Sequence, residues 1–136
     1  MPAGYSGRPL AEKLGLKPGQ SAWSSGMPES VATEIEADLP GFRFAAEPAA
    51  GLDVAHVFTA SRGELEREIG RLRPLLAPAG MIWVSWPKKA SKVPTDITED
   101  TVREVAFPHG LVDVKVCAVD ETWSGLKLVI RKALRG

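Results

Sequence analysis

The chain has 136 residues, with 17 basic and 17 acidic side chains and a formal charge of zero. That length fits one domain, residues 1–136, in which about two thirds of the unfolded surface is buried and no second core has room. Balanced charge excludes a global field that would draw the protein onto nucleic acid or an anionic membrane, although a local basic patch stays open.

In chain order, residues 8–15 predict a short helix, with Pro9 in its first turn, Leu10 and Leu14 one turn apart and Gly15 as a stop. Gln20 to Ser24 reads as a first strand. Pro28 then opens a helix whose apolar positions Val31, Ile35 and Leu39 share a face, and Pro40-Gly41 ends it. Phe42 to Ala46 alternates weakly and reads as a short second strand; Val54 to Thr59 is a third.

Residues 62–77 carry the clearest helical pattern, with Leu65, Ile69, Leu72, Leu75 and Leu76 on one face and solvated charges on the others. Met81 to Trp86 is nearly all apolar, the pattern of a central strand covered on both faces. Past the polar loop 87–97, Thr98-Glu99-Asp100-Thr101 predicts a helix start, with Val102 and Val105 inward and Pro108 to Gly110 as the stop. Residues 111–119 and 126–133 form a long hairpin. Strands alternating with helices imply an α/β three-layer sandwich: a mostly parallel sheet with helices on both faces, closed at one edge by an antiparallel strand.

In such a sheet ligands bind outside the carboxyl ends of the parallel strands. Four polar segments follow directly on strand-like runs: Ser24-Ser25-Gly26, Thr59-Ala60-Ser61-Arg62, Ser85-Trp86-Pro87-Lys88-Lys89 and Asp120-Glu121-Thr122-Trp123-Ser124-Gly125. All four are therefore expected on one rim. Trp86 and Trp123 would wall a site for a planar or anionic ligand, Lys88 with Lys89 would meet the anion, and Asp120 with Glu121 would fix polar atoms. The competing expectation is an ion pair from Lys88 to Asp120 or Glu121, with the tryptophans closing the end of the core. Ser24, Ser25 and Gly26 can offer backbone N–H groups to an anion, but helix capping is the favoured role of the serines. Thr95 and Asp96 reach over the rim or cap the following helix, and capping is favoured.

Cys117 lies inside a strand between apolar residues and reads as a small core residue rather than a nucleophile. As the sole cysteine it forms no internal disulfide. His56 and His109 have no partner at metal-ligand spacing, so neither a metal nor a catalytic residue is assigned. The start Met1-Pro2-Ala3-Gly4 lacks the regions of a signal peptide, and no apolar run approaches the ~20 residues that span a bilayer. A cytoplasmic protein without a membrane segment is expected.

The order of elements resembles the class I methyltransferase fold, most clearly in the strand-helix-strand unit from Asp53 through Leu75-Leu76-Ala77-Pro78-Ala79-Gly80 to Met81-Ile82-Trp83-Val84. The resemblance implies about six strands in the order 2-1-3-4-6-5, with the last strand antiparallel. A second resemblance, spanning nearly the whole chain, is to a family of short bacterial proteins of uncharacterised function. It rests on Tyr5-Ser6-Gly7-x-Pro9-Leu10, on Trp86-Pro87-Lys88-Lys89-Ala90 with Pro94-Thr95-Asp96, and on the run Val116 to Lys127 containing Val119-Asp120-Glu121-Thr122-Trp123-Ser124-Gly125. That membership implies no known activity.

The chain departs from methyltransferases where they bind their methyl donor. The glycine-rich loop after the first strand is replaced by Ser24-Ser25-Gly26-Met27-Pro28, Glu47 is the one candidate for the acidic residue that holds the ribose, and the third strand with its helix is missing. The sequence thus reads as a reduced, non-catalytic ligand-binding or regulatory module. The alternatives are an authentic S-adenosylmethionine-dependent methyltransferase and a protein-interaction module. Its partner is accordingly a small molecule or a protein, with no nucleic acid or membrane expected; cofactor and oligomeric state are left open.

Overall fold

A computed structural model describes residues 8–135. The Tyr5-Ser6-Gly7 block lies outside the described residues. Leu10–Lys13 forms α1, a single turn followed by Gly15 at φ 71°. Then come β1 (Ala22–Ser25), α2 (Glu29–Asp38), β2 (Leu52–Phe58) and α3 (Arg62–Leu72), the last extended by a tighter turn over Arg73–Leu75. β3 (Leu76–Pro87), α4 (Glu99–Ala106), β4 (Leu111–Ala118) and β5 (Trp123–Ile130) complete the domain.

The sheet order is β1-β2-β3-β5-β4, with β1, β2 and β3 parallel and β5 antiparallel to both neighbours. This is the expected α/β arrangement with its outermost member reduced to a remnant. The segment 42–46 makes one parallel bridge, Ala45 to Trp23, where the Ala45 N–H donates to Ala22 O at 2.7 Å. Pro40-Gly41 and Pro48 confine it, since proline cannot donate to a ladder. The stretch from Glu47 to Gly51 is also too short for a parallel crossover, which takes about a dozen residues. β1 is consequently an edge strand over most of its length.

β3 starts earlier than the apolar run alone predicts, because Leu76 already pairs with Leu52 before a register shift absorbs Pro78-Ala79-Gly80. Its middle residues Ile82, Trp83 and Val84 are fully buried, as a strand covered on both faces requires. One face packs on Leu65, Ile69 and Leu72 of α3 and Val102 and Val105 of α4. The other packs on Leu10 and Leu14 near α1 and Val31 and Ile35 of α2. Each such side chain contributes ~1.5–3 kcal/mol on burial. Trp83 is the anchor of the second face: its indole N–H donates to Leu14 O at 2.9 Å, so its polar atom is satisfied inside the core.

Candidate functional site

β1, β2 and β3 end side by side at Ser25, Phe58 and Pro87, and β5 begins at Trp123, directly opposite Pro87. The four polar segments therefore converge on one end of the sheet. The sheet nevertheless divides them. Trp86 pairs with Ser124 and belongs to the core under α3 and α4, whereas Trp123 packs against the core under α1 and α2. Neighbouring residues of a strand point to opposite faces, so the two tryptophans do not form facing walls.

On the α3/α4 side a cleft of about 380 Å³ opens beside Trp86, Pro87, Lys89, Thr95, Ile97 and Thr98. Trp86 and Ile97 are almost wholly buried and supply its apolar floor, while Lys89 is exposed. Lys88, expected as the anion contact, is not part of this wall; its backbone N–H donates to Thr122 O at 2.7 Å. Neither Lys88 nor Lys89 forms an ion pair with Asp120 or Glu121 among the described residues, so that expected pairing is not made.

The far wall of the cleft is the loop 88–97, and the chemistry of Thr95 and Asp96 holds it down. Thr95 Oγ1 donates to Ala60 O at 2.8 Å, and the Asp96 carboxylate accepts from the Arg62 N–H at 2.7 Å. Asp96 thus serves the first turn of α3, not the helix that follows it in sequence. Thr98 caps α4 instead, in a reciprocal box with Thr101. Ile97 precedes that cap and Val102 lies in the helix's fourth position; both are buried in one cluster, the arrangement of a hydrophobic staple. Ile97 is a cleft residue marked in the sequence only as a lone apolar residue before a capping threonine.

On the α1/α2 side the same rim is closed. Phe58 stacks on His56 with ring centroids 4.1 Å apart, and Trp123 meets Phe58 edge-on at 5.3 Å. His56 is buried, and its Nε2 lies 2.7 Å from Ser85 Oγ; burial pulls its pKa down to about 3. A neutral imidazole and a hydroxyl satisfy each other there inside the core. Asp120 Oδ1 accepts from the N–H groups of Thr122 and Trp123 at 2.8 and 2.7 Å, so its carboxylate shapes the β4–β5 turn. Glu121 is exposed at the turn's tip.

Ser24 and Ser25 are half-buried on β1 and do not cap α2, whose N-cap position is Pro28 without a side-chain bond. Gly26 adopts φ 68°, and a Cβ there would lie 2.5 Å from Phe58 O, so the turn after β1 rests on the exit of β2. Glu47 is exposed two residues beyond the Trp23–Ala45 bridge. Cys117 is half-buried, and burial raises its thiol pKa against the opposing pull of Lys13 and Lys115.

No family model matches the chain, and no curated protein sequence matches it. Solved structures do. OxaC in complex with SAH and oxaline superposes with a TM-score of 0.64 at 13% identity, over 91% of this chain and 46% of that one. LepI in complex with SAM gives 0.56 at 13% identity, over 90% of this chain and 39% of that one. A type 11 methyltransferase structure from Sulfolobus solfataricus gives 0.54 at 12% identity, over 84% and 72%. This chain thus corresponds to less than half of the longer LepI and OxaC chains. No helix among the described residues is long and apolar enough to cross a membrane. The domain has the class I methyltransferase-like, Rossmann-like α/β fold.

Proposed function

We propose that this domain is a non-catalytic relative of the methyltransferase fold that binds a small, planar, anionic molecule in the cleft between Trp86 and Ile97. The observation that carries the reading is the cleft itself: an aromatic and aliphatic floor lined by one lysine, Lys89, and by one carboxylate, Glu99, which is already paired with Arg103. Such a site takes an aryl carboxylate, with the ring against Trp86 and the carboxylate towards Lys89. Trp123, Asp120 and Glu121 then support the rim from the other face. The reading of the chain as cytoplasmic, and as one of the short bacterial proteins that share its Trp-Pro-Lys-Lys block, belongs to this proposal.

Loss of the methyl donor is supported by the turn at Gly26. The one glycine of that turn is used to pack against Phe58 O, and the edge strand that would carry the ribose contact is a single bridge. The test is a nuclear magnetic resonance titration with benzoate. Saturable shifts of the Trp86 indole and the Ile97 amide, weakened in Lys89→Ala, are expected; shifts spread over the surface without saturation would overturn the reading.

A second reading, an authentic methyltransferase, has one observation in its favour. Gly26 is left-handed at the end of β1, and Glu47 stands just past the bridge at the same end of the sheet. In that reading Ser24, Ser25 and Gly26 cradle S-adenosylmethionine and Glu47 holds its ribose. SAM and SAH are present in the LepI and OxaC structures.

A further inference from the structure

A second open cavity lies at the other end of the sheet, where the parallel strands begin. It measures about 460 Å³, within the roughly 300–1,000 Å³ range of small-molecule sites. Its walls include Lys17 and Pro18 from the turn after α1, Asp53 of β2, Met81 of β3, and Lys127 and Val129 of β5.

The charge on this wall is unusual in a chain of zero net charge. Lys127 sits in the interior strand β5 and is in direct register with Lys115 of β4. Like charges placed opposite each other on neighbouring strands destabilise a sheet. None of Lys17, Lys115 and Lys127 forms an ion pair among the described residues. The Lys115 ammonium is turned onto Lys13 O at 3.0 Å, at the end of α1, which leaves Lys127 beside the cavity with Lys17. The one carboxylate in the wall, Asp53, accepts the Ser21 N–H at 2.8 Å and so is already engaged. Burial, then Lys115 and Lys17, lower the pKa of Lys127: the ammonium is held in a place that disfavours it.

We propose that this cavity is a second binding site, which holds the phosphate of a small organic phosphate ester between Lys17 and Lys127 while Met81, Val129 and Pro18 receive its apolar part. A phosphate relieves the repulsion that no protein group relieves. Lysines suit it because an ammonium meets a phosphate oxygen as a point charge from whichever side it stands. The site is separate from the rim cleft and does not rest on the function proposed for it.

The test uses phenyl phosphate, with phenol and inorganic phosphate beside it, in resonance titrations of the full chain. Phenyl phosphate should give saturable shifts at Lys17, Gly19 and Lys127, and phenol at equal concentration should give none. Inorganic phosphate should compete for the same amides; failure to compete would show that the anion is not what binds. Lys127→Met keeps the aliphatic stem and removes the charge, and it should weaken phenyl phosphate by about tenfold, the loss of one charged hydrogen bond. The same variant should be at least as resistant to urea as the parent chain, since it loses a like-charge neighbour, so weaker binding cannot be put down to unfolding. Unchanged affinity in Lys127→Met, or equal shifts from phenol, would overturn the proposal.

Discussion

Trp86 and Trp123 stand one residue apart in register across β3 and β5, yet their side chains leave the sheet on opposite faces. The rim is therefore two half-sites separated by a sheet. One half is an open cleft under the loop 88–97; the other is closed by the packing of His56, Phe58 and Trp123.

The division predicts unequal effects of the two tryptophans. Trp86→Ala removes a side chain only 7% exposed and should cost ~3–5 kcal/mol of stability. Trp86→Phe, which keeps the fold, should weaken benzoate. Trp123→Ala should leave benzoate affinity within about twofold, because its side chain leaves the sheet on the face opposite the cleft and does not line it. Urea denaturation and titration of the three variants check this.

The buried pair of His56 and Ser85 predicts acid sensitivity. Histidine ordinarily ionises at 6.5, but in the folded chain burial lowers this to about 3. The unfolded chain takes up the proton first, so the stabilisation is whole above pH 6.5 and is lost as pH falls from there towards 3, at ~1.4 kcal/mol per pH unit. Replacing both partners, His56→Leu with Ser85→Ala, should flatten that dependence in urea midpoints taken between pH 7 and pH 4. A slope equal to the parent's would place the acid sensitivity elsewhere.

Asp96 of the loop and Thr98 just after it each hold the start of a different helix. Thr98→Ala removes the cap of α4 and should cost ~1 kcal/mol. Asp96→Ala leaves the Ser61 cap of α3 in place but removes the acceptor of the Arg62 N–H, which should cost a similar ~1 kcal/mol and free the loop from the first turn of α3. Only Asp96→Ala should speed hydrogen exchange at both the first turn of α3 and residues 93–97.

The turn after β1 tolerates no side chain. Gly26→Ala combines a left-handed backbone with a Cβ placed 2.5 Å from Phe58 O, and it should cost ~1–3 kcal/mol. Ser25→Ala, next to it, makes no side-chain bond among the described residues and should change stability by less than ~0.5 kcal/mol. A thermal melt of each variant measures the difference.

Strong periodicity made most of the fold legible. The leucines and isoleucine of α3, the apolar run of β3 and the capping threonine of α4 each state a local preference that packing then reinforces. The segment 42–46 was harder, since its alternation is weak and its fate depends on how much chain remains before β2, a matter of length rather than propensity. At the site, the sequence located the rim because polar residues follow strand ends. It could not show that Trp86 and Trp123 face apart, for that depends on the register of Pro87 opposite Trp123, which no single strand encodes. The lysine cavity was equally hidden: the register of β4 with β5 sets Lys115 opposite Lys127, and Lys17 reaches the same cavity from the turn after α1.

Calorimetric titration of the full chain with S-adenosylmethionine tests the central claim most directly. A fold that keeps the methyltransferase sheet but has given its β1 turn over to packing on Phe58 should release no saturable heat at millimolar ligand. A saturable isotherm that is lost on Glu47→Ala would contradict the account and establish the enzyme.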